Sequence, residues 1–148
     1  MSRAWAAVEC QDGKVGEEMK PQRIQLSRGK GFNLQRVSVT LNGRLAVRVD
    51  RTTKWGNPFR MGREPSERIM DQWGWIINKK HPFYTPCYSV PQALKRFRQC
   101  VESHPEYIAH VKYELKGKNL ACWCPLLDEQ GQPVACHAMV LLEISNEE

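Results

Sequence analysis

The stretch from Gly117 to Pro125, followed by Cys136 and His137, constrains the fold of this chain more than any other feature. Asn119 to Trp123 is a short apolar run that follows a Lys-Gly stop signal and precedes a proline, which predicts a buried strand. Ala135 to Ile144 has apolar residues at helical spacing, so we expect a helix whose first turn carries the Cys-His pair. The exposed backbone amides at a helix N-terminus stabilise the thiolate form of a nearby cysteine and so lower its pKa. This segment therefore points to a functional site.

Two earlier apolar runs predict strands that lead directly into basic loops. Arg23 to Leu26 is followed by a loop with two glycines and two bases, which can bring backbone amides to an anion. Val37 to Val49 predicts a hairpin around Asn42-Gly43, in which Leu45 to Val49 is the better-buried strand. Ligands of open α/β sheets lie outside the carboxyl ends of the strands. If the strands are parallel neighbours, the loops that follow them share one edge.

The remaining pattern predicts helices and a single domain. Apolar residues at helical spacing indicate helices from Glu64 to Lys79, after Ser89 and from Pro105 to Leu115. With 148 residues the chain can bury a core of its own. We therefore expect an α/β fold, with one compact domain at residues 21–148 and a flexible N-terminal extension at residues 1–20. Its sheet is expected to be small, mostly parallel and Rossmann-like, with a hairpin and flanking helices.

The distribution of charge predicts an anionic partner. The formal net charge is +6, and residues 23–63 hold ten Lys or Arg residues but one acid, Asp50. A basic excess confined to one segment suits a phosphate-bearing ligand such as a nucleotide or a nucleic acid, although a basic surface also arises simply for solubility. No apolar run is long enough to span a membrane, and no signal peptide is apparent. The sequence leaves the oligomeric state open.

Six side chains in the basic loops are candidates for binding that ligand. Guanidinium and ammonium groups bind phosphate, an indole stacks on a base, and an amide recognises a base edge. The alternative is that the tryptophan fills the core and the Asn-Pro pair forms a structural turn. The candidates are Arg28, Lys30, Arg51, Lys54, Trp55 and Asn57.

The C-terminal cysteines allow three interpretations. Cys122, Cys124, Cys136 and His137 could form a zinc site, although a CxC within one strand holds its β-carbons roughly 6–7 Å apart. Catalysis would instead use Cys124 or Cys136 as the thiolate, with His137 as base or orienting group. The third interpretation is packing alone. Six cysteines without a secretion signal favour reduced thiols in the cytoplasm.

Three motifs resemble those of an uncharacterised "domain of unknown function" family common in phages and bacteria. They are the RIQLSR stretch from Arg23, the TKWGNPF loop around Trp55, and the ending GKNLACWCPL with CHAMVLLE from Cys136. The resemblance covers about residues 23 to 146 and implies a compact intracellular α/β domain whose shared residues gather around these loops. It implies no reaction. From the basic loops and the Cys/His site we expect a nucleotide- or nucleic-acid-binding protein that processes its ligand. The alternative is a non-catalytic nucleic-acid-binding or phage accessory protein whose cysteines bind zinc or only pack.

Overall fold

Three short parallel strands form the central sheet of the computed structural model, which describes residues 20–147. The strands β1 (Arg23–Gln25), β2 (Ala46–Arg48) and β3 (Asn119–Cys122) lie in the order β1-β3-β2. Both outer strands pair in parallel with β3. The predicted α/β class and the parallel sheet are therefore confirmed. The predicted extension falls on residues 1–20, which lie outside the described residues except for Lys20.

The helices flank this sheet on both faces. Within residues 20–147 they are α1 (Leu34–Asn42), α2 (Glu67–Trp73), α3 (Val90–Glu102), α4 (Pro105–Leu115) and α5 (His137–Ser145), with a short 3-10 helix at Pro82–Tyr84. The predictions for α3, α4 and α5 are confirmed to within one or two residues. The predicted helix from Glu64 to Lys79 is shorter in the structure, because Gly74 adopts a left-handed conformation that ends α2. None of the described helices is long and apolar enough to cross a membrane.

The predicted hairpin is wrong, because the first half of that segment is the helix α1. Asn33 caps the helix by accepting a hydrogen bond from the amide of Arg36 at 3.0 Å. Gly43, with a φ of 77°, closes its C-terminus by donating to Val39 O at 2.7 Å. The Asn42-Gly43 pair therefore ends a helix rather than forming a strand-to-strand turn, and β2 follows it as predicted.

Helices on both faces bury the central strand completely. On one face Ala121 packs with Ile24, Leu26 and Ala46 beneath the start of α1. On the other face Leu120 and Cys122 belong to the main core. Its members from α3, α4 and α5 are Phe97, Cys100, Val101, Tyr107, Val111, Leu115, Val140, Leu141 and Ile144. Alternate residues of β3 thus serve two cores, as expected for a parallel strand covered on both faces.

Candidate functional site

The loops after the three strands meet at one edge of the sheet, as expected for parallel neighbours. At this edge the side chains of Cys122, Cys124 and Cys136, here called the cysteine cluster, hold their sulfurs within 4.8 Å of one another. The Sγ atoms of Cys122 and Cys136 are 3.2 Å apart. Three cysteines at this separation could hold a metal ion.

Local structure explains how the CxC motif brings two sulfurs together. β3 ends at Cys122, and Cys124 lies in a bend beyond the strand rather than within it. The spacing that a continuous strand would impose on the two side chains therefore does not apply. Cys136 similarly lies outside the helix, as the N-cap of α5. The geometric objection to a shared metal ion therefore disappears, because Cys124 lies beyond the end of β3 and Cys136 lies outside α5.

The guanidinium of Arg23 organises the loop that carries the cluster. Arg23 is buried and donates to three backbone carbonyls, those of Cys124, Pro125 and Val134, at 2.9–3.2 Å. It also donates to Cys122 Sγ at 3.6 Å. A planar fork with five N–H groups holds several acceptors in fixed directions, whereas a lysine ammonium offers three donors on a flexible stem. Arg23 therefore ties β1 to both ends of the cysteine loop.

His137 lies beside the cluster with one ring nitrogen already engaged. Its Nε2 is 2.6 Å from the carbonyl oxygen of Val49, and since a carbonyl can only accept, Nε2 carries the proton. The lone pair is then on Nδ1, which stands 3.6 Å from Cys136 Sγ. Burial lowers the pKa of His137, so the ring is neutral at pH 7. A neutral imidazole oriented by a backbone carbonyl is the form in which histidine binds metals.

The proton affinity of the three thiols differs strongly. Hydrogen bonds from Cys124 and Cys136, together with the Arg23 guanidinium, outweigh burial and lower the pKa of Cys122. The interaction with Cys122 raises the pKa values of Cys124 and Cys136 in turn. Cys122 and Cys136 are 1% and 3% exposed, and Cys124 is half-buried. The three interacting thiols therefore favour one shared negative charge, which a bound cation would compensate.

A chain of contacts joins all three loops at the same edge. Arg28, after β1, places its guanidinium 4.6 Å from the ring centroid of Trp123, after β3. Trp123 Nε1 donates to the carboxylate of Asp50, after β2, at 2.9 Å. We call this region the three-loop site. It consists of the cysteine cluster, the exposed Arg28, the 38% exposed Trp123 and the buried Asp50.

The Asp50 carboxylate fixes the position of its neighbours. Arg48 and Thr52 also donate to it, at 2.8 and 3.0 Å. Burial alone would raise the pKa of Asp50, but the hydrogen bonds from Arg48, Thr52 and Trp123 outweigh burial and lower it. The carboxylate is therefore ionised at neutral pH and holds the Trp123 ring in place.

The structure brings together only some of the binding residues expected from the sequence. Arg28, Lys30 and Arg51 lie exposed in the loops after β1 and β2. Lys54 points elsewhere, since its Nζ pairs with Glu114 of α4 at 3.0 Å. Trp55 is 3% exposed and belongs to the main core.

Asn57 is also buried, where its Oδ1 accepts from the amide of Phe59 at 2.9 Å. The structure therefore places Trp55 and Asn57 inside the fold rather than at the three-loop site.

Sequence reasoning missed Arg23, Asp50 and Trp123 as site residues. Asp50 offered a signal, because it is the single acid of the basic segment and directly follows a strand. Trp123 is the middle residue of the CxC motif and is predicted to lie within the strand. It lies outside the strand because β3 ends at Cys122. Arg23 gave no signal, since its partners lie about a hundred residues away in sequence.

Comparison with known proteins identifies a family whose description names no activity. A family model described as "Domain of unknown function (DUF4326)" matches residues 24–147, which confirms the resemblance seen in the sequence. No curated protein and no solved structure matches the chain. Any function must therefore be inferred from the site.

Proposed function

Because the chain belongs to the family described as "Domain of unknown function (DUF4326)", we propose a function from its site: binding of a nucleotide or a nucleic acid at the three-loop site. The observation that carries this proposal is the Arg28–Trp123–Asp50 chain, which places a cation and an exposed ring side by side. Guanidinium groups bind phosphate, and exposed aromatic rings stack on bases. Lys30 and Arg51 add exposed positive charge to the loops.

We further propose that the cysteine cluster holds zinc, with His137 Nδ1 as the fourth ligand. Zinc–sulfur bonds of about 2.3 Å in a tetrahedron require sulfurs about 3.8 Å apart, a separation within the range seen in the cluster. The Nδ1 lone pair of His137 stands 3.6 Å from Cys136 Sγ, which supports this assignment, although His137 lies outside the group of ligand atoms that are all within 4.8 Å of one another and would have to move closer to bind. When bound, zinc would fix the loop that presents Trp123. Such a site requires reduced thiols, which suits a cytoplasmic protein.

A non-catalytic role fits the burial of the cluster better than thiol catalysis does. A nucleophilic cysteine must reach its substrate, but Cys136 and His137 are both buried. Cys124 is the partly exposed member of the cluster, so a substrate could reach its sulfur. This exposure favours the second candidate function, a processing enzyme. Without zinc, Cys124 would be open to alkylation by iodoacetamide, whereas bound zinc would protect it until a chelator is added.

Salt-dependent binding of a labelled single-stranded oligonucleotide tests phosphate recognition. We expect fluorescence anisotropy to report binding at low salt that weakens steeply as NaCl rises, because phosphate contacts release counterions. Arg28→Ala should weaken binding and make the slope of log K against log salt shallower by about one. Competition by a nucleoside triphosphate distinguishes a nucleotide site from one that needs a longer strand.

Lys112→Ala is the matched control for this experiment. Lys112 lies on α4, pairs with Glu147 and carries the same charge as Arg28. It lies on the C-terminal half of α4, which leads into the start of β3 and so toward the edge of the sheet opposite the three loops. Its replacement should leave the salt slope unchanged. The proposal fails if the wild type does not bind at low salt, if binding ignores salt, or if the two variants behave alike.

A further inference from the structure

Four arginine side chains beyond β2 form a positively charged surface next to the three-loop site. They come from the loop after β2, from the turn before α2 and from the first turn of α2, and all are exposed or half-buried. We call them the arginine cluster, and its members are Arg51, Arg60, Arg63 and Arg68. Arg51 directly follows Asp50, so the cluster begins where the three-loop site ends.

Hydrogen bonds to backbone carbonyls place these guanidinium groups beside one another. Arg68 donates to the carbonyl of Arg51. Arg51 donates to the carbonyl of Phe59, the residue before Arg60, at 3.4 Å. Arg60 donates through two nitrogens to the carbonyl of Glu64, on the other side of the turn, at 2.9 and 2.6 Å. The arginine cluster is therefore one continuous surface.

The turn that carries Arg60 and Arg63 is fixed to the core through Cys87. The amide of Cys87 donates to the carbonyl of Arg60 at 3.1 Å, and the amide of Gly62 donates to the carbonyl of Cys87 at 2.8 Å. Cys87 is 1% exposed and belongs to the main core. A ligand that binds this turn therefore does not have to order it first, which lowers the entropic cost of binding.

The four charges are not neutralised by ion pairs. Among residues 20–147 no carboxylate pairs with any member of the cluster, not even those of Glu64 and Glu67, which are close in sequence. Partial burial and the positive charges of Arg63 and Arg51 lower the pKa of Arg60, and the charge of Glu64 offsets this only in part. Arginine nevertheless stays protonated at neutral pH, so the repulsion persists until an anion binds.

Each guanidinium also keeps N–H groups for a ligand. The bonds to carbonyls use two nitrogens of Arg51 and of Arg60 and one of Arg68. Arg63 makes no side-chain hydrogen bond or ion pair within the described part of the chain. Guanidinium forks match the oxygens of phosphate in pairs, so four neighbouring forks suit a ligand with several phosphates.

We infer, on the basis of the proposed function, that the ligand is a single-stranded nucleic acid whose backbone runs from the three-loop site across the arginine cluster. A single nucleotide bound at Arg28 and Trp123 would leave the cluster without an anion. A strand carries one phosphate for each nucleotide, so it can contact both regions at once. Its unpaired bases can also stack on the exposed Trp123, which the bases of a duplex cannot do.

The salt dependence of binding for two strand lengths tests this inference. A labelled oligothymidylate of about 12 nucleotides is compared with a 5′-phosphorylated thymidine dinucleotide, whose Kd is obtained by competition. Each phosphate contact of a single strand steepens the slope of log K against log salt by about 0.7, so the longer strand should have a slope steeper by about two to three. Arg63→Ala should make the slope of the longer strand shallower by about 0.7 and leave the dinucleotide unaffected. Arg28→Ala should make both slopes shallower.

Lys112→Ala, which removes a charge on α4, is the control and should change neither slope. Polyglutamate of similar length is the second probe. It should compete roughly tenfold more weakly than the longer strand, because it has no base to stack on Trp123.

The inference is overturned if the two strand lengths have equal slopes, if Arg63→Ala behaves like Lys112→Ala, or if polyglutamate competes as well as the longer strand. In the first two cases the proposed function still stands when Arg28→Ala weakens binding of the dinucleotide, so the two failures are separate results. If neither strand binds the wild type at low salt, the proposed function fails and this inference fails with it.

Discussion

At the scale of single residues, the TKWGNPF loop is built from packing contacts rather than ligand contacts. Trp55 packs against Trp73 and Tyr107 with ring centroids 5.2 and 5.8 Å away. The Asn57 side chain caps the amide of Phe59 and also donates to Ala93 O at 3.4 Å. The sequence showed an aromatic, an amide and bases in one loop, which suits either a site or a core. Burial decides between the two, and burial is a property of the folded chain.

Gly56 provides the sharpest test of this packing. A β-carbon at this position would lie 2.6 Å from the Cα of Arg51 and 3.0 Å from the carbonyl oxygen of Asp50, both of them backbone atoms. Gly56→Ala should therefore lower the free energy of unfolding by about 1–3 kcal/mol, the usual cost of overpacking. Urea denaturation measures this change.

Gly29→Ala is the control, since its β-carbon would meet only the Ser27 hydroxyl, at 3.1 Å, and that side chain can rotate away. Its free energy of unfolding should stay within about 0.5 kcal/mol of the wild type. Equal destabilisation by the two substitutions would mean that the loop is not held against Arg51 as described.

At the scale of elements, helix caps and periodicity made most of the fold predictable, and tertiary contacts decided the exception. Ser89 caps α3 by accepting from the amide of Gln92, as its position before an apolar helical pattern indicated. Val37 to Leu41 alternates like a strand, but Asn33 and Gly43 cap it as a helix. The helix prevails because it directs Ser38 and Asn42 toward β3. Those partners lie far away in sequence, so the local pattern could not show them.

Asn119 is the residue that links α1 to the sheet. It is fully buried and exchanges two hydrogen bonds with the Asn42 amide, at 2.8 and 2.9 Å. It also donates to Ser38 Oγ and accepts from the amide of Gln22. Asn119→Ala would leave buried partners unsatisfied, so we expect a loss of about 2–3 kcal/mol in the free energy of unfolding.

Asn78→Ala is the comparison for Asn119→Ala in thermal or chemical unfolding. Asn78 is exposed and makes a local hydrogen bond to the amide of Lys80. Its substitution should cost less than about 1 kcal/mol. If Asn119→Ala proves as mild as this control, the amide pair is not what holds α1 against β3.

At the scale of the whole molecule, parallel topology gathers residues from distant parts of the sequence at one edge. The order of strands and loops was enough to predict that the three loops share this edge. Which side chains meet there was not predictable, because Arg23 and Asp50 acquire their roles from the pairing of β1 and β2 with β3. The cysteine cluster likewise depends on β3 ending at Cys122 and on α5 beginning after Cys136.

The basic side chains of residues 23–63 have two different roles in the folded molecule. Several of its charges hold the fold together, including the buried Arg23, Arg48 paired with Asp50, and Lys54 paired with Glu114. Arg28 and Lys30 remain exposed in the loops, and Arg51 is exposed but also donates to the carbonyls of Asn57 and Phe59. Fewer cations of this segment are therefore exposed at the three-loop site than the charge count alone suggested.

Metal analysis of the purified protein tests the central claim, that the cysteine cluster is a zinc centre at the edge of the sheet. Protein expressed and purified under reducing conditions without added zinc is measured by inductively coupled plasma mass spectrometry. We expect about one zinc ion per chain in the wild type. Cys124→Ser should lose it, because this variant removes one ligand at a half-buried position. Cys100→Ala, which removes a core thiol outside the cluster, should retain it. Wild-type protein with no more zinc than Cys124→Ser would contradict the account.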